Sequence, residues 1–326
     1  MKSLLDKLGQ LLGWALYYFL RKHSIEFRFK IVVFIAITYY KIRKSVKKRI
    51  MQNIALIRPD LDDHEIEDAS LLVVKTIAWS WAAMLGNEYI TQEEIMQNLK
   101  AEGIDPLLNC YRENRRIVAA AVHTGPVDKM GGVVPLFRLK VYAPAEAIKP
   151  DWLFKLMLRL RLEFQGFTFD KVERGMTLDR ARHNLRSGKI VLLLVDALSE
   201  DKSGVDCRIG NARFKVKVGA IKLAIEEDAV LFPILPSWDE ESDGFGVKIV
   251  VGAPFELIRT GDARRDIELN TRRLIEEVFA PHIQRNFASW QRLLWSRLKP
   301  VEAHEQLDLS DPVKRIMMRT KFRKRP

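Results

Sequence analysis

The segment 118–128, which reads VAAAVHTGPVD, contains a histidine and ends in an aspartate. Small and β-branched apolar residues end at His123, and Asp128 follows beyond a Gly-Pro pair. The uncharged run 117–122 predicts a strand buried on both faces, and Pro126 is typical of the first position of a helix. A carboxylate bonded to one imidazole nitrogen leaves the other nitrogen ready to accept a proton. The spacing therefore indicates a general-base pair in which Asp128 orients His123.

The same two residues also have ordinary structural roles. An aspartate in the first turn of a helix offsets exposed N–H groups and the helix dipole by ~0.3–1 kcal/mol. A histidine at the end of a strand often serves only as a hydrogen-bonded polar residue, and a His-x4-Asp pattern is short enough to arise by chance. If the pair is catalytic, the absence of a partner serine indicates that the nucleophile is a hydroxyl of the substrate.

Composition and charge narrow the possible partners. The chain has 326 residues, 48% of them hydrophobic, and its 54 Lys and Arg against 42 Asp and Glu give a net charge of +12. That excess predicts an anionic partner, such as a phospholipid surface, a phosphorylated substrate or an acidic carrier protein. We expect no nucleic-acid partner, because no recognition motif or regular basic-aromatic interleaving is present. Cys110 and Cys207 have no metal-like or redox-like spacing, so we expect no metal.

The first 50 residues predict helices that associate with a membrane surface. The apolar runs 11–20 and 31–40 are each half the length of a spanning helix, which needs roughly 20 residues. The segment 41–49, KIRKSVKKR, is mostly basic. Aromatic residues beside cationic clusters are typical of helices that lie in the bilayer interface. The alternative is a pair of buried helices joined to a solvated basic turn.

Residues 51–326 predict one continuous α/β domain whose central, mostly parallel sheet is flanked by helices. A long helix is expected over 60–84, capped by Asp62 or Asp63. Functional groups in such sheets gather at the carboxyl ends of strands, where His123 and Asp196 are both expected. The predicted strands are 117–122, 139–143, 190–195, 230–235 and 246–251, and the predicted helices between them are 151–164, 178–186 and 220–227.

From about residue 51 to 297 the chain resembles the bacterial lipid A biosynthesis acyltransferases, the lauroyl and myristoyl transferase branch of the lysophospholipid acyltransferase superfamily. The likeness rests on the order and spacing of several segments. They are QNIALIRPDLDDHEIEDAS, HTGPVD, VERGMTLDRARHNLRSGKIVLLLVDALSED, GNARFKVKVGAIKLAIEEDAVLFPILP and NTRRLIEEVFAPHIQRNFASWQRLLWSRLKP. Two departures leave the acceptor open among a glycolipid, a glycerolipid and another hydroxylated lipid. Asp128 stands where the branch usually has Glu, and Ala197 where it usually has Gln.

The resemblance implies a membrane-associated O-acyltransferase at the cytoplasmic face of the inner membrane, peripheral or shallowly inserted. The acyl chain would move from an acyl-carrier-protein or coenzyme A thioester to a hydroxyl of a lipid acceptor similar to a lipid A precursor. His123 would be the general base, oriented by Asp128, and no cofactor is needed. The alternatives are a glycerolipid or lysophospholipid acyltransferase and a non-catalytic basic membrane scaffold, against which the His123–Asp128 pair argues.

Three further residues are candidates for substrate binding. Arg174 precedes a Gly turn, and its planar guanidinium is suited to a pair of phosphate oxygens. Lys149 would add to a basic rim around the same anion. Asp196 would either bind a substrate hydroxyl or hold a basic side chain in place, and we favour the second role.

Overall fold

The structure, a computed structural model, describes residues 2–85, 92–145, 150–162, 167–171, 176–199, 204–239 and 246–301. Four helices open the chain: α1 Lys2–Leu20, α2 Ile25–Ile42, α3 Lys44–Ile57 and α4 Asp63–Met84. A capping box begins α4, because the Asp62 carboxylate accepts from the Glu65 N–H and the Glu65 carboxylate accepts from the Asp62 N–H. The predicted helix and its cap are confirmed.

The main sheet has seven strands in the order β1-β9-β8-β2-β5-β3-β4. All neighbouring pairs are parallel except β8 and β9. The predicted mostly parallel α/β sheet is therefore confirmed. The strands are β1 Leu99–Glu102, β2 Ile117–Ala121, β3 Val141–Ala145, β4 Phe167–Lys171, β5 Ile190–Leu194, β8 Val230–Trp238 and β9 Val247–Val251.

Helices pack on both faces of this sheet and connect its strands. Most predicted boundaries agree within two residues, including those of β3, whereas β8 runs three residues further than predicted. The helices are α5 Gln92–Asn98, α6 Asp105–Arg112, α7 Val133–Leu136, α8 Asp151–Leu162, α9 Thr177–Arg186 and α10 Gly219–Glu226. β2 is buried along its whole length, as its apolar sequence predicts.

A second, three-stranded antiparallel sheet was not predicted. It consists of β6 Val205–Ile209, β7 Ala212–Val216 and β10 Lys299–Pro300. Alternate residues of β6 and β7 are buried, which is the pattern of a sheet with one face on the core. The helical C-terminal part comprises α11 Ala263–Arg273, a π-helical turn Leu274–Phe279, α12 Ala280–Arg285, a 3₁₀ turn Phe287–Ser289 and α13 Arg292–Trp295.

The N-terminal helices are integrated with the rest of the molecule through α3. Asn53 on α3 is buried, and its amide donates to the carbonyls of Leu293 and Ser296 at 3.0 and 2.8 Å. Its side-chain oxygen accepts from the Leu298 N–H at 3.1 Å. α3 runs across residue 50, where the sequence predicts a domain boundary. The division of the chain at that residue stays a prediction. None of the helices in the described ranges is both long and apolar enough to cross a bilayer.

We expect Asn53→Ala to lower the free energy of unfolding by about 2–4 kcal/mol, because it leaves three buried backbone groups without their partner. Urea unfolding measures the loss. Gln52→Ala, at an exposed position of the same helix, is the control and should stay within about 0.5 kcal/mol of the parent protein. An equal loss in the two variants would show that Asn53 does not fasten the C-terminal segment.

Candidate active site

The register of two central strands brings His123 and Asp196 side by side. β2 and β5 are parallel neighbours, and Ala121 lies opposite Leu194 in their ladder. His123 and Asp196 each come two residues after those positions. Both side chains therefore leave the sheet at the same carboxyl edge, where α/β folds gather their functional groups.

The Asp196 carboxylate holds both the side chain and the backbone of His123. Asp196 Oδ1 lies 2.6 Å from His123 Nδ1, and Asp196 Oδ2 accepts from the His123 N–H at 3.0 Å. The Asp196 side chain is only 1% exposed, whereas 18% of the His123 side chain is exposed. The imidazole is thus fixed by a buried carboxylate and is itself partly exposed to solvent.

The bond that we had assigned to Asp128 from the sequence is made by Asp196. Pro126 precedes a 3₁₀ helix, Val127–Gly132, and Asp128 lies in its first turn as predicted. That helix packs against α4, however, while the parallel register aligns Asp196 with His123. Asp128 is half-buried, and its catalytic role stays a prediction. The holding role that we favoured for Asp196 matches the geometry.

The Asp196 carboxylate is ionised despite its complete burial. Burial alone raises the pKa of a carboxyl group, but His123 outweighs this effect through its charge when it is protonated and through its hydrogen bonds, and the Arg292 guanidinium acts in the same direction. The pKa of Asp196 is therefore held well below its ordinary value. An ionised carboxylate stabilises the imidazolium that forms when His123 takes up a proton, which is the role of the aspartate in hydrolytic triads.

The second oxygen of Asp196 has a further donor in Trp290. The indole N–H donates to Asp196 Oδ2 at 2.8 Å, and the whole Trp290 side chain is buried. Phe214 of the second sheet packs against the indole with ring centroids 6.0 Å apart. The Gln291 N–H donates to the His123 carbonyl at 2.9 Å. The C-terminal segment therefore fixes both members of the pair.

Sequence reasoning missed the contact of Trp290 with Asp196. Trp290 packs in the core, while Trp295 is 60% exposed. No local pattern signals the indole contact, because Trp290 and Asp196 lie far apart in the chain and meet only through the tertiary fold.

Residues 2–299 match the family model described as bacterial lipid A biosynthesis acyltransferase. The chain belongs to this family. Members are acyltransferases, so the resemblance noted in the sequence is confirmed at the level of the family and of acyl transfer. The comparison with curated proteins found no match.

Two predicted substrate-binding residues of this acyltransferase, Arg174 and Lys149, lie outside the described residues. Within the described part of the chain, no group of three or more His, Cys, Asp and Glu side chains is placed to hold a metal ion. The predicted independence from metals and cofactors stays a prediction. Cys207 and His282 are buried, and His183 is exposed.

We expect Trp290→Phe to destabilise the acyltransferase by about 1–3 kcal/mol, because the buried carboxylate loses a donor while the aromatic packing is largely kept. Trp295→Phe is the matched control on the exposed side chain and should change stability by less than about 0.5 kcal/mol. Chemical unfolding at neutral pH measures both. Equal stability of the two variants would contradict the stabilising role of the indole N–H.

Proposed function

We propose that this acyltransferase moves a fatty acyl chain from an acyl-carrier-protein or coenzyme A thioester to a hydroxyl of a glycolipid of the lipid A precursor class. One observation carries the mechanism: the solvent-accessible His123 imidazole is bonded through Nδ1 to a buried, ionised carboxylate. With Nδ1 as the donor in that bond, Nε2 is the nitrogen that can accept a proton from the acceptor hydroxyl.

The reaction then proceeds by two proton transfers through His123. Nε2 removes the hydroxyl proton as the hydroxyl oxygen attacks the thioester carbonyl carbon, and the negative charge develops on the carbonyl oxygen. When the tetrahedral intermediate collapses, the C–S bond breaks and the imidazolium returns the proton to the departing thiolate. Asp196 stabilises the imidazolium between these steps. A positioned general base of this kind contributes roughly 10²–10⁴-fold to the rate.

The remaining predicted site residues have supporting roles in this proposal. Asp128 lies in the first turn of the 3₁₀ helix that follows the base and is the candidate for a contact with the acceptor. Arg174 and Lys149 would bind an anionic group of the acceptor or the donor, consistent with the net charge of +12. Asp196 is occupied by His123 and Trp290, which makes it a positioning residue rather than a contact for a substrate hydroxyl.

A glycerolipid is the second candidate acceptor. Asp128, in place of the Glu usual in the lipid A branch, favours it, and Ala197 after Asp196 is a second departure from that branch. Both candidates use the same base and the same thioester chemistry, so they differ only in the lipid that delivers the hydroxyl. A non-catalytic scaffold is disfavoured, because it would have no use for a buried carboxylate that orients a partly exposed imidazole.

We expect His123→Ala to lower the rate of acyl transfer by about 10²–10⁴-fold, because the reaction loses its general base. The purified protein is incubated with an acyl-carrier-protein thioester or an acyl coenzyme A, and with either a lipid A precursor or a lysophospholipid. His183→Ala, which removes an exposed histidine on α9, is the control and should keep the parent rate. Equal transfer by the parent protein and His123→Ala would refute the proposed mechanism, and the preferred lipid decides between the two acceptors.

We further propose that α1 and α2 bind the surface of an anionic membrane. Large apolar side chains are exposed on both helices, and in each helix three of them recur at the i, i+4, i+7 spacing of a single face: Leu12, Leu16, Phe19, Ile35, Tyr39 and Ile42. Exposed basic side chains accompany them: Lys22, Lys30, Lys41, Arg43, Lys44 and Lys48. An exposed apolar surface bordered by cations is the pattern of interfacial binding. The location of the protein at the cytoplasmic face of the inner membrane is part of this proposal.

Point substitutions test this surface better than removal of residues 1–50, because Tyr17, Phe29 and Ile50 are part of the core. We expect Leu12→Gln with Ile42→Gln to weaken binding to vesicles containing phosphatidylglycerol by at least about tenfold, since two exposed apolar side chains no longer enter the bilayer. Met176→Gln with Ile258→Gln removes two exposed apolar side chains elsewhere and should leave binding unchanged. Unchanged binding of the first double variant would contradict the proposal.

A further inference from the structure

Thr124 lies between the proposed base and the turn that follows it, and its side chain is completely buried. Its hydroxyl donates to the Pro236 carbonyl at 2.8 Å and lies 3.0 Å from Nε2 of His282 on α12. The same Nε2 lies 2.9 Å from the Pro236 carbonyl oxygen. The three groups form a closed triangle at the carboxyl end of β8.

The contacts of His282 assign its proton to Nε2. Nδ1 lies 3.4 Å from the side-chain amide nitrogen of Asn286, which also donates to the His282 carbonyl at 3.0 Å. An amide NH₂ facing Nδ1 requires Nδ1 to be the acceptor, so the ring donates from Nε2 toward the triangle. Burial also lowers the pKa of His282, which keeps the ring neutral at physiological pH.

The triangle fastens the turn on the side opposite to Asp196. The His123 side chain reaches β5 through Asp196, and the side chain of the next residue, Thr124, reaches β8 through Pro236. Gly125 continues this close packing: it has φ +60°, and a Cβ there would lie 2.9 Å from the Ser237 Cα. The main chain that carries the base is therefore held between its two neighbouring strands.

We infer that Thr124 and His282 are positioning residues that set the orientation of the His123 imidazole for acyl transfer. This inference rests on the proposed function, in which His123 is the base. Catalytic groups must stay close to their productive geometry, and an error of about 1 Å in placement costs up to ~10²-fold in rate. Two bonds from Asp196 fix the imidazole and the His123 N–H, and the Thr124 hydroxyl fixes the peptide that follows.

The test compares Thr124→Val with Thr124→Ser. Valine has nearly the shape of threonine but lacks the hydroxyl, whereas serine keeps the hydroxyl and loses the methyl group. We expect Thr124→Val to lower kcat by about 10–100-fold with little change in KM, and Thr124→Ser to restore most of the parent kcat. Thr271→Val, which removes a buried hydroxyl on α11, is the control and should keep the parent kcat.

A second readout does not depend on activity. The resonance of the proton between His123 Nδ1 and Asp196 Oδ1, observed in protein labelled with ¹⁵N-histidine, should shift in Thr124→Val and in His282→Leu but remain in place in Thr124→Ser. A parent-like kcat and resonance in Thr124→Val would overturn the inference, as would equal losses in Thr124→Val and Thr124→Ser. If the parent protein transfers no acyl chain, the proposed function fails, and the resonance alone decides whether the triangle orients His123.

Discussion

The site depends on a carboxylate that is ionised where water does not reach it. An isolated buried charge costs several kcal/mol, so Asp196 is stable there only because donors surround it. The His123 imidazole, the His123 N–H and the Trp290 indole supply those donors, and Arg292 adds a favourable charge. The neighbouring elements must lie where they can supply hydrogen-bond donors to the Asp196 carboxylate.

Those elements come from distant parts of the chain. β2 and β5 bring His123 and Asp196 to the same edge through their register. Trp290 belongs to the C-terminal segment, which Asn53 of α3 holds through three hydrogen bonds. The second sheet packs behind the indole through Phe214. The helices that carry the proposed membrane surface and the residues that fix the Asp196 carboxylate therefore belong to one connected structure.

The sequence predicted the scaffold better than the contacts within it. Uniformly apolar strands such as β2 and a helix with the capping box of α4 have local causes, and both could be read directly. β6 and β7 were missed because short strands with alternating charged residues resemble turns and solvated loops. The position of His123 and Asp196 after two strands indicated a common edge, but the strand order was needed to show that β2 and β5 are neighbours.

Asp128 shows why spacing along the chain is a weaker guide than register across a sheet. His123 and Asp128 are close in sequence, yet the turn after Pro126 carries Asp128 into a 3₁₀ helix that packs on α4. Asp196 is much further along the chain and lies beside His123, because parallel neighbours place equivalent positions together. Asp196 could have been predicted as the partner of His123 only after β2 and β5 had been paired.

The most direct measurement of this account is the rate of acyl transfer by Asp196→Asn compared with Asp128→Asn. Asparagine keeps the shape of each side chain and removes its charge. We expect Asp196→Asn to lower kcat by about 10²–10⁴-fold, because the imidazolium loses its counter-charge and asparagine keeps only one of the two oxygens that accept from His123 and Trp290. We expect Asp128→Asn to lower kcat less. A parent-like rate in Asp196→Asn, with the large loss confined to Asp128→Asn, would contradict the assignment of Asp196 as the residue that orients the base.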